Sequence, residues 1–348
     1  MITILAEHEA KARATLPAEI VDYYASGAGD EVTVRAAEAA WERFLIRPMP
    51  LRDVAVVDTS ITLFGDRFDT PIGVAPTAFH RLAHLDGEAA SIAGAGAAGS
   101  LFVLSTRASL RFGEVAAATS APWWFQVYVM LDRDLTARVV MDAVDAGARA
   151  LVLTADTPYV GRKRRVDGIR IPMPDDHYLI NINRHLGAAV DGRAAATQDP
   201  SVGLDTISWL KELSGLPVIV KGVLRGDAAM ACLDAGADGI IVSNHGGRQL
   251  DRAVPSAFAL SEVVDMVAGR VPVMVDGGIR SGLDVLVALA LGASAAFVGR
   301  PVLWGLAAGG ADGVRDALTA LTDDLRHVLA LAGAPNISHL DTGWVTTA

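Results

Sequence analysis

DAGADGIIVSNH, residues 234–245, runs from a helix end through a glycine into a strand. The Ala-rich segment before it reads as helix, and Gly236 stands where a helix C-terminus takes the left-handed conformation without steric cost. Gly-Ile-Ile-Val follows as an almost unbroken apolar run, the pattern of a parallel strand covered on both faces. A polar triplet, Ser-Asn-His, ends the unit. DAGARALVLTAD (145–156) and ALGASAAFVGRP (290–301) repeat the same order. Similar strands are expected at 72–75, 101–104, 124–127, 151–154, 218–220, 240–242, 273–275 and 296–298. Helices are expected between them at 87–98, 135–146, 204–213, 227–235, 258–267 and 283–291. Eight βα units from about residue 71 to 305 predict an α/β protein with a closed TIM (β/α)8 barrel. A doubly wound sheet is the alternative, but its first strand should lead into a glycine-rich phosphate fingerprint, and here it leads into PTAFHRLAH (76–84).

Outside the barrel, residues 1 to about 45 read as helices. Pro17 suits a first turn, and Asp30 is a candidate cap for a helix running to about Trp41. TSITLFGDRF (59–68) reads as a hairpin around Gly65-Asp66. The segment from about 157 to 203 is too long for a plain βα connection and is expected to be a lid over the barrel mouth. The whole chain, 1–348, is expected to be a single domain.

Composition narrows the function. The chain is 51% hydrophobic and 20% charged, which excludes a disordered protein. Thirty Lys+Arg against 40 Asp+Glu give a net charge of -10, which argues against a nucleic-acid partner. The one basic run, Arg162-Lys163-Arg164-Arg165, reads as a local anion site. A single cysteine, Cys232, excludes an internal disulfide and reads as a buried small hydrophobe. No His/Asp/Glu spacing suggests a metal site. The N-terminus has no basic region followed by an apolar stretch, and the longest apolar stretch, 283–299, is shorter than a bilayer span. A cytoplasmic protein without a membrane partner is expected.

Barrel sites form at the C-terminal ends of the strands. In order, those ends carry Pro76-Thr77-Ala78; Ser105-Thr106-Arg107; Gln126 and Tyr128; Thr154 and Asp156; Lys221; Ser243 to Arg248; Asp276 to Arg280; and Gly299-Arg300. The last two ends read as a phosphate site, with Gly277, Gly278 and Gly299 admitting backbone N–H groups and Arg280 and Arg300 supplying charge. Lys221 ends an apolar strand and suits either a Schiff base or the stabilisation of a developing anion. His245 is the best acid–base candidate, and a carboxylate such as Asp156 could hold its ring. His80, His84, His177, His185 and His327 read as structural or exposed.

Taken together, DYYASGAGDE (22–31), APTAFHRLAHLDGE (75–88), FQVY (125–128), TADTP (154–158), VKGV (220–223), SNHGGRQLD (243–251), DGGIRSG (276–282) and VGRP (298–301) resemble the FMN-dependent 2-hydroxy-acid oxidase and dehydrogenase family. That family includes glycolate oxidase, lactate oxidase and mandelate dehydrogenase. SNHGGRQLD with VKG upstream is the most specific part; DGG and VGRP also occur in other phosphate-binding barrels. The resemblance implies non-covalent FMN held by Pro76, Thr77, Ala78, Ser105, Gln126, Thr154, Lys221, Ser243, Asp276, Gly278, Arg280, Gly299 and Arg300. It implies His245 as base, Asp156 as its partner, Tyr128 on the substrate hydroxyl, and Arg248 and Tyr23 on the carboxylate. A 2-hydroxy acid would be oxidised to the 2-keto acid, with the flavin reoxidised by oxygen or another acceptor. A homo-oligomer, by analogy a tetramer, is implied too. Two positions depart from the family. Lys163 stands seven residues after Asp156, where an arginine is usual, so either Lys163 or a neighbour fills that role. Arg107 stands where a pocket residue is often apolar or aromatic, and either faces outward or reads a second polar or anionic group on the substrate. The competing reading of the same residues is a phosphate-binding barrel isomerase or a Schiff-base aldolase using Lys221.

Overall fold

The computed structural model describes residues 2–167, 173–174, 177–187 and 191–348. Eight parallel strands close into a barrel: β1 Ile72–Val74, β2 Phe102–Ser105, β3 Trp123–Val127, β4 Leu151–Thr154, β5 Val218–Val223, β6 Gly239–Val242, β7 Val273–Asp276 and β8 Ala295–Val298. Each strand pairs with its neighbours in sequence, and β8 returns to β1 with Ala296 opposite Ile72. A helix follows every strand. Six are the expected ones to within a few residues: Gly87–Ala97, Arg133–Asp145, Asp205–Ser214, Gly226–Asp234, Ser256–Val267 and Gly282–Ala290. The glycines that mark the repeat, Gly147, Gly236 and Gly292, have φ of 101°, 97° and 97°, so the left-handed helix ends are real. The remaining two helices carry weaker signals. Phe112–Ala117 is too short to show a period, and Arg300–Ala332 runs well past residue 305, broken by non-helical Gly309 and Gly310.

Alternation along the strands divides the barrel into two packed regions. Val103, Trp124, Val152, Ile219, Ile241, Met274 and Phe297 form one buried cluster inside it. Their sequence neighbours, such as Phe125, Leu151, Val220, Ile240 and Val275, belong to the larger cluster beneath the helices. The hairpin Ile61–Leu63 and Asp66–Phe68 closes the end where the strands begin, with Leu63 and Phe68 buried in the inner cluster and the Phe64 ring 5.5 Å from Trp124. Its turn residues are Phe64 and Gly65, at φ 49° and 88°, as a two-residue type I′ turn requires. The turn therefore lies one residue earlier than Gly65-Asp66; Asp66 begins the second strand and holds Arg149 at 3.3 Å.

Asp30 does not cap the helix that follows it. Val32–Trp41 starts after Glu31, which offers no side-chain cap. Asp251 does the capping from 218 positions away, accepting from Thr33 N at 3.0 Å and, through its other oxygen, from Asp30 N at 2.9 Å. That contact draws the N-terminal segment over the mouth of the barrel, where Trp41 Nε1 also donates to the Gly277 carbonyl at 2.8 Å.

Parts of the expected lid, 168–172, 175–176 and 188–190, lie outside the described residues. The described parts are packed. Leu179 and Ile182 are buried, each worth about 1.5–3 kcal/mol in transfer terms. Asn181 ties the segment down, donating to Leu110 O at 2.8 Å and accepting from Phe112 N at 3.2 Å. At the C-terminus, Val345–Thr347 pairs antiparallel with Phe44–Ile46. No described helix is long and apolar enough to cross a membrane.

Candidate active site

Successive inward positions on a strand are two residues apart. Stepping two residues on from the inner apolar cluster therefore gives Ser105, Gln126, Thr154, Lys221, Ser243, Asp276 and Gly299, one above each of Val103, Trp124, Val152, Ile219, Ile241, Met274 and Phe297. The polar layer is joined internally. Gln126 donates to Thr154 Oγ1 at 3.0 Å and accepts from Ser105 Oγ at 3.2 Å. Lys221 Nζ donates to Ser243 Oγ at 2.8 Å and pairs with Asp276 Oδ2 at 3.1 Å. Cys232, as expected, is a buried thiol, its pKa raised by burial.

Above this layer lies a cavity of about 550 Å³. Pro76, Thr77, Ala78, Ser105, Lys221, Asp276, Gly278, Arg280, Gly299 and Arg300 line it, together with Tyr23, Arg107, Tyr128, Lys163, His245 and Arg248. Gln126, Thr154 and Ser243 support the wall from the layer below. Asp156 acts through His245: its Oδ1 lies 2.9 Å from His245 Nδ1. Burial alone would raise the Asp156 pKa, but His245 and Lys221 outweigh it and hold the carboxyl below its ordinary value. An ionised Asp156 can only accept, so Nδ1 carries the proton and Nε2 keeps its lone pair. Burial lowers the His245 pKa below 6.5 against the opposing pull of Asp156, so the ring is neutral at pH 7. For Lys221, burial is outweighed by Asp276 and Asp156, and its pKa is raised: it is an ammonium.

The three arginines differ in what holds them. Arg280 pairs with Glu38 at 3.0 Å. Arg248 donates to the carbonyls of Tyr24 and Ser26 at 3.2 and 2.7 Å, over the Tyr23 ring. Arg300 uses the same two carbonyls, at 3.1 and 3.3 Å, plus Gly246 O at 3.0 Å. Burial, then the neighbouring charges of Arg248 and Arg280, push Arg300 down to about 9 against the weaker opposing pull of Glu38 and Glu31. The Tyr24 and Ser26 carbonyls, like Tyr24 Oη, which donates to Phe79 O at 2.7 Å, were not foreseen, since a backbone acceptor leaves no trace in sequence.

Two expectations need correction. Gly278 is not glycine merely to admit an anion: a Cβ there would lie 2.2 Å from the Ala37 carbonyl, so the helix Val32–Trp41 already demands it. The basic run 162–165 is not one anion site. Only Lys163 reaches the cavity, donating to Gly161 O at 3.0 Å; Arg164 pairs with Asp30 and Arg165 with Glu31, fastening the loop to the N-terminal segment. Lys163, not a neighbour, thus occupies the position in question, and Arg107 faces the cavity rather than solvent. His80 is structural as expected, its ring nitrogens at 2.5 Å from Thr77 Oγ1 and 2.7 Å from Ser91 Oγ. His185 likewise pairs with Asp142 at 2.7 Å.

The FMN-dependent dehydrogenase family matches residues 12–347. The chain is 40% identical to 2-hydroxyacid oxidase 1 of Homo sapiens, over 96% of this chain and 94% of that protein. It is 40% identical to L-lactate oxidase of Nostoc sp., over 98% and 97%. A crystal structure of mandelate oxidase with (S)-2-phenylpropionate superposes with a TM-score of 0.90 at 40% identity, covering 99% of this chain and 98% of that one.

Proposed function

The chain belongs to the FMN-dependent dehydrogenase family, and we propose that its barrel-mouth cavity oxidises a 2-hydroxy acid to the 2-keto acid with FMN. The residues fit the cofactor. The cavity is of ligand size, the Arg300 guanidinium is held only by backbone carbonyls and forms no ion pair among the described residues, and Asp276 Oδ1 is buried without a hydrogen-bond partner among the described residues. Arg280, Arg300 and the backbone at Gly278 and Gly299 would take the phosphate. Asp276 Oδ1 would accept from a hydroxyl. Pro76, Thr77, Ala78, Ser105 and Lys221, backed by Gln126, Thr154 and Ser243, would hold the rest. Bound FMN supplies the acceptor for the two electrons, and oxygen or another acceptor reoxidises it.

The chain's own residues do the remainder. Arg248 has donors left over from its two carbonyls, and with Tyr23 beneath it would clamp the substrate carboxylate and fix the reacting carbon. Tyr128, whose buried phenol has a raised pKa, would hold the hydroxyl as a protonated donor. His245 Nε2 would take one proton from the CHOH group, and Asp156 would stabilise the imidazolium that results. Lys221 presents a fixed buried charge to negative charge developing in the cavity. The observation that carries this reading is that Lys221 and a neutral, carboxylate-held His245 share one cavity. It also counts against the Schiff-base alternative, because a lysine kept charged by Asp276 has no lone pair for a carbonyl. Anaerobic addition of 2-hydroxy acids should bleach the bound flavin; a flavin spectrum untouched by a broad panel would refute the assignment. We also read the chain as a homo-oligomer, supported by Phe258, Met266, Leu283 and Leu331, apolar side chains left exposed on the outer helices; sedimentation tests it.

A further inference from the structure

The charges around the cavity do not balance once both ligands are placed. Lys221 is matched by Asp276 and Arg280 by Glu38. Arg300 lies in the part of the cavity assigned to the cofactor phosphate, and Arg248 is assigned to the substrate carboxylate. Arg107 and Lys163 are left over. Both line the cavity with Tyr128 and His245. Among the described residues neither forms an ion pair. The Lys163 ammonium reaches only the Gly161 carbonyl, and the Arg107 guanidinium lies over the Tyr128 ring, 5.2 Å from its centroid. Burial, then Arg248 and Arg107, bring Lys163 down to about 8, so the cations crowd one another without a carboxylate to relieve them. By contrast Arg164 and Arg165, the next two residues after Lys163, are each given an acidic partner. Desolvated unpaired charge is costly unless a ligand neutralises it.

We propose that the substrate carries a second anionic group at the end of its side chain, making it a 2-hydroxy dicarboxylate, and that Arg107, with Lys163 beside it, receives that group. The proposal rests on the hydroxy-acid oxidation assigned to the cavity. Arg107 suits the task because its planar fork can take a carboxylate through two parallel hydrogen bonds. Its place against Tyr128 puts it next to the group that would hold the reacting hydroxyl.

Length-matched substrates isolate the second charge. The anaerobic FMN-loaded protein is mixed in a stopped-flow instrument with 2-hydroxybutanoate or 2-hydroxybutanedioate, and with 2-hydroxypentanoate or 2-hydroxypentanedioate, each enantiomer separately. The second-order constant for flavin bleaching is read. In at least one pair the dicarboxylate should react about tenfold to a hundredfold faster, the worth of a charge-assisted hydrogen bond or two. Arg107→Met should pull that ratio back towards one, and Lys163→Met should do so in part. Monocarboxylates that match or beat their partners in every pair would overturn the inference while leaving hydroxy-acid oxidation intact, because the flavin still bleaches. A diacid preference unchanged in both variants would overturn the assignment to Arg107 and Lys163. A flavin that no compound bleaches would bring down the hydroxy-acid reading itself, and this inference with it.

Discussion

The two ends of the barrel are built from the same eight strands and differ by one step of the pleat. At the end where the strands begin, Trp124, Ile219, Met274 and Phe297 meet Leu63 and Phe68 of the hairpin, and polar side chains are few. Two residues further along, the inward positions become Gln126, Lys221, Asp276 and Gly299. The apolar end supplies rigidity, and the polar end spends it: Lys221 can be buried as an ammonium because its strand holds it against Asp276 and Ser243. Stability and chemistry should therefore separate along the barrel axis.

Four substitutions test that separation. The largest effect is expected at the polar end: His245→Ala should slow flavin reduction about ten-thousand-fold, the upper range for a general base, with FMN still bound by its absorbance after gel filtration. At the opposite end, Leu63→Ala should cost about 2–5 kcal/mol of stability by thermal unfolding and leave the reduction rate far less changed. If it instead abolished reduction at a temperature where the protein is folded, the two ends would not be separable. Asp156→Asn should lower the plateau rate about a hundredfold and shift the pH profile. The rate needs neutral His245, so it falls as pH drops below the lowered histidine pKa. The Asp156 charge raises that pKa, so its removal should move the acid limb to lower pH. A limb that stays in place would remove Asp156 from its role. The smallest effect is expected at Asp251→Ala, about 1 kcal/mol for a lost helix cap, seen as a modest drop in Tm.

Most of the fold could be read from the chain. The helix–Gly–strand unit repeats, and the sum of those repeats is a barrel. The strand-end motifs named Lys221, His245, Arg248, Asp276 and Arg300 in advance, and the structure gathers all five around one cavity. What escaped was of two kinds. Short or broken elements, such as Phe112–Ala117 and the kinked helix from Arg300, lack the length or continuity that makes a period visible. Long-range contacts leave no local mark: the Asp251 cap, the carbonyls of Tyr24 and Ser26, and the Ala37 carbonyl against Gly278 join residues far apart in sequence.

Periodic apolar strands, glycine punctuation and the polar residues at strand ends were thus sufficient for the architecture and the inventory of charged groups, because each follows from spacing along the chain, while the reaction family came from the resemblance of the strand-end motifs. Which charges are paired could not follow from spacing. Arg162, Lys163, Arg164 and Arg165 are nearly equivalent as text, yet folding turns Lys163 into the cavity and gives Arg164 and Arg165 to Asp30 and Glu31. Pairing depends on distances across the closed barrel and its N-terminal segment, and those distances exist only after the chain has folded.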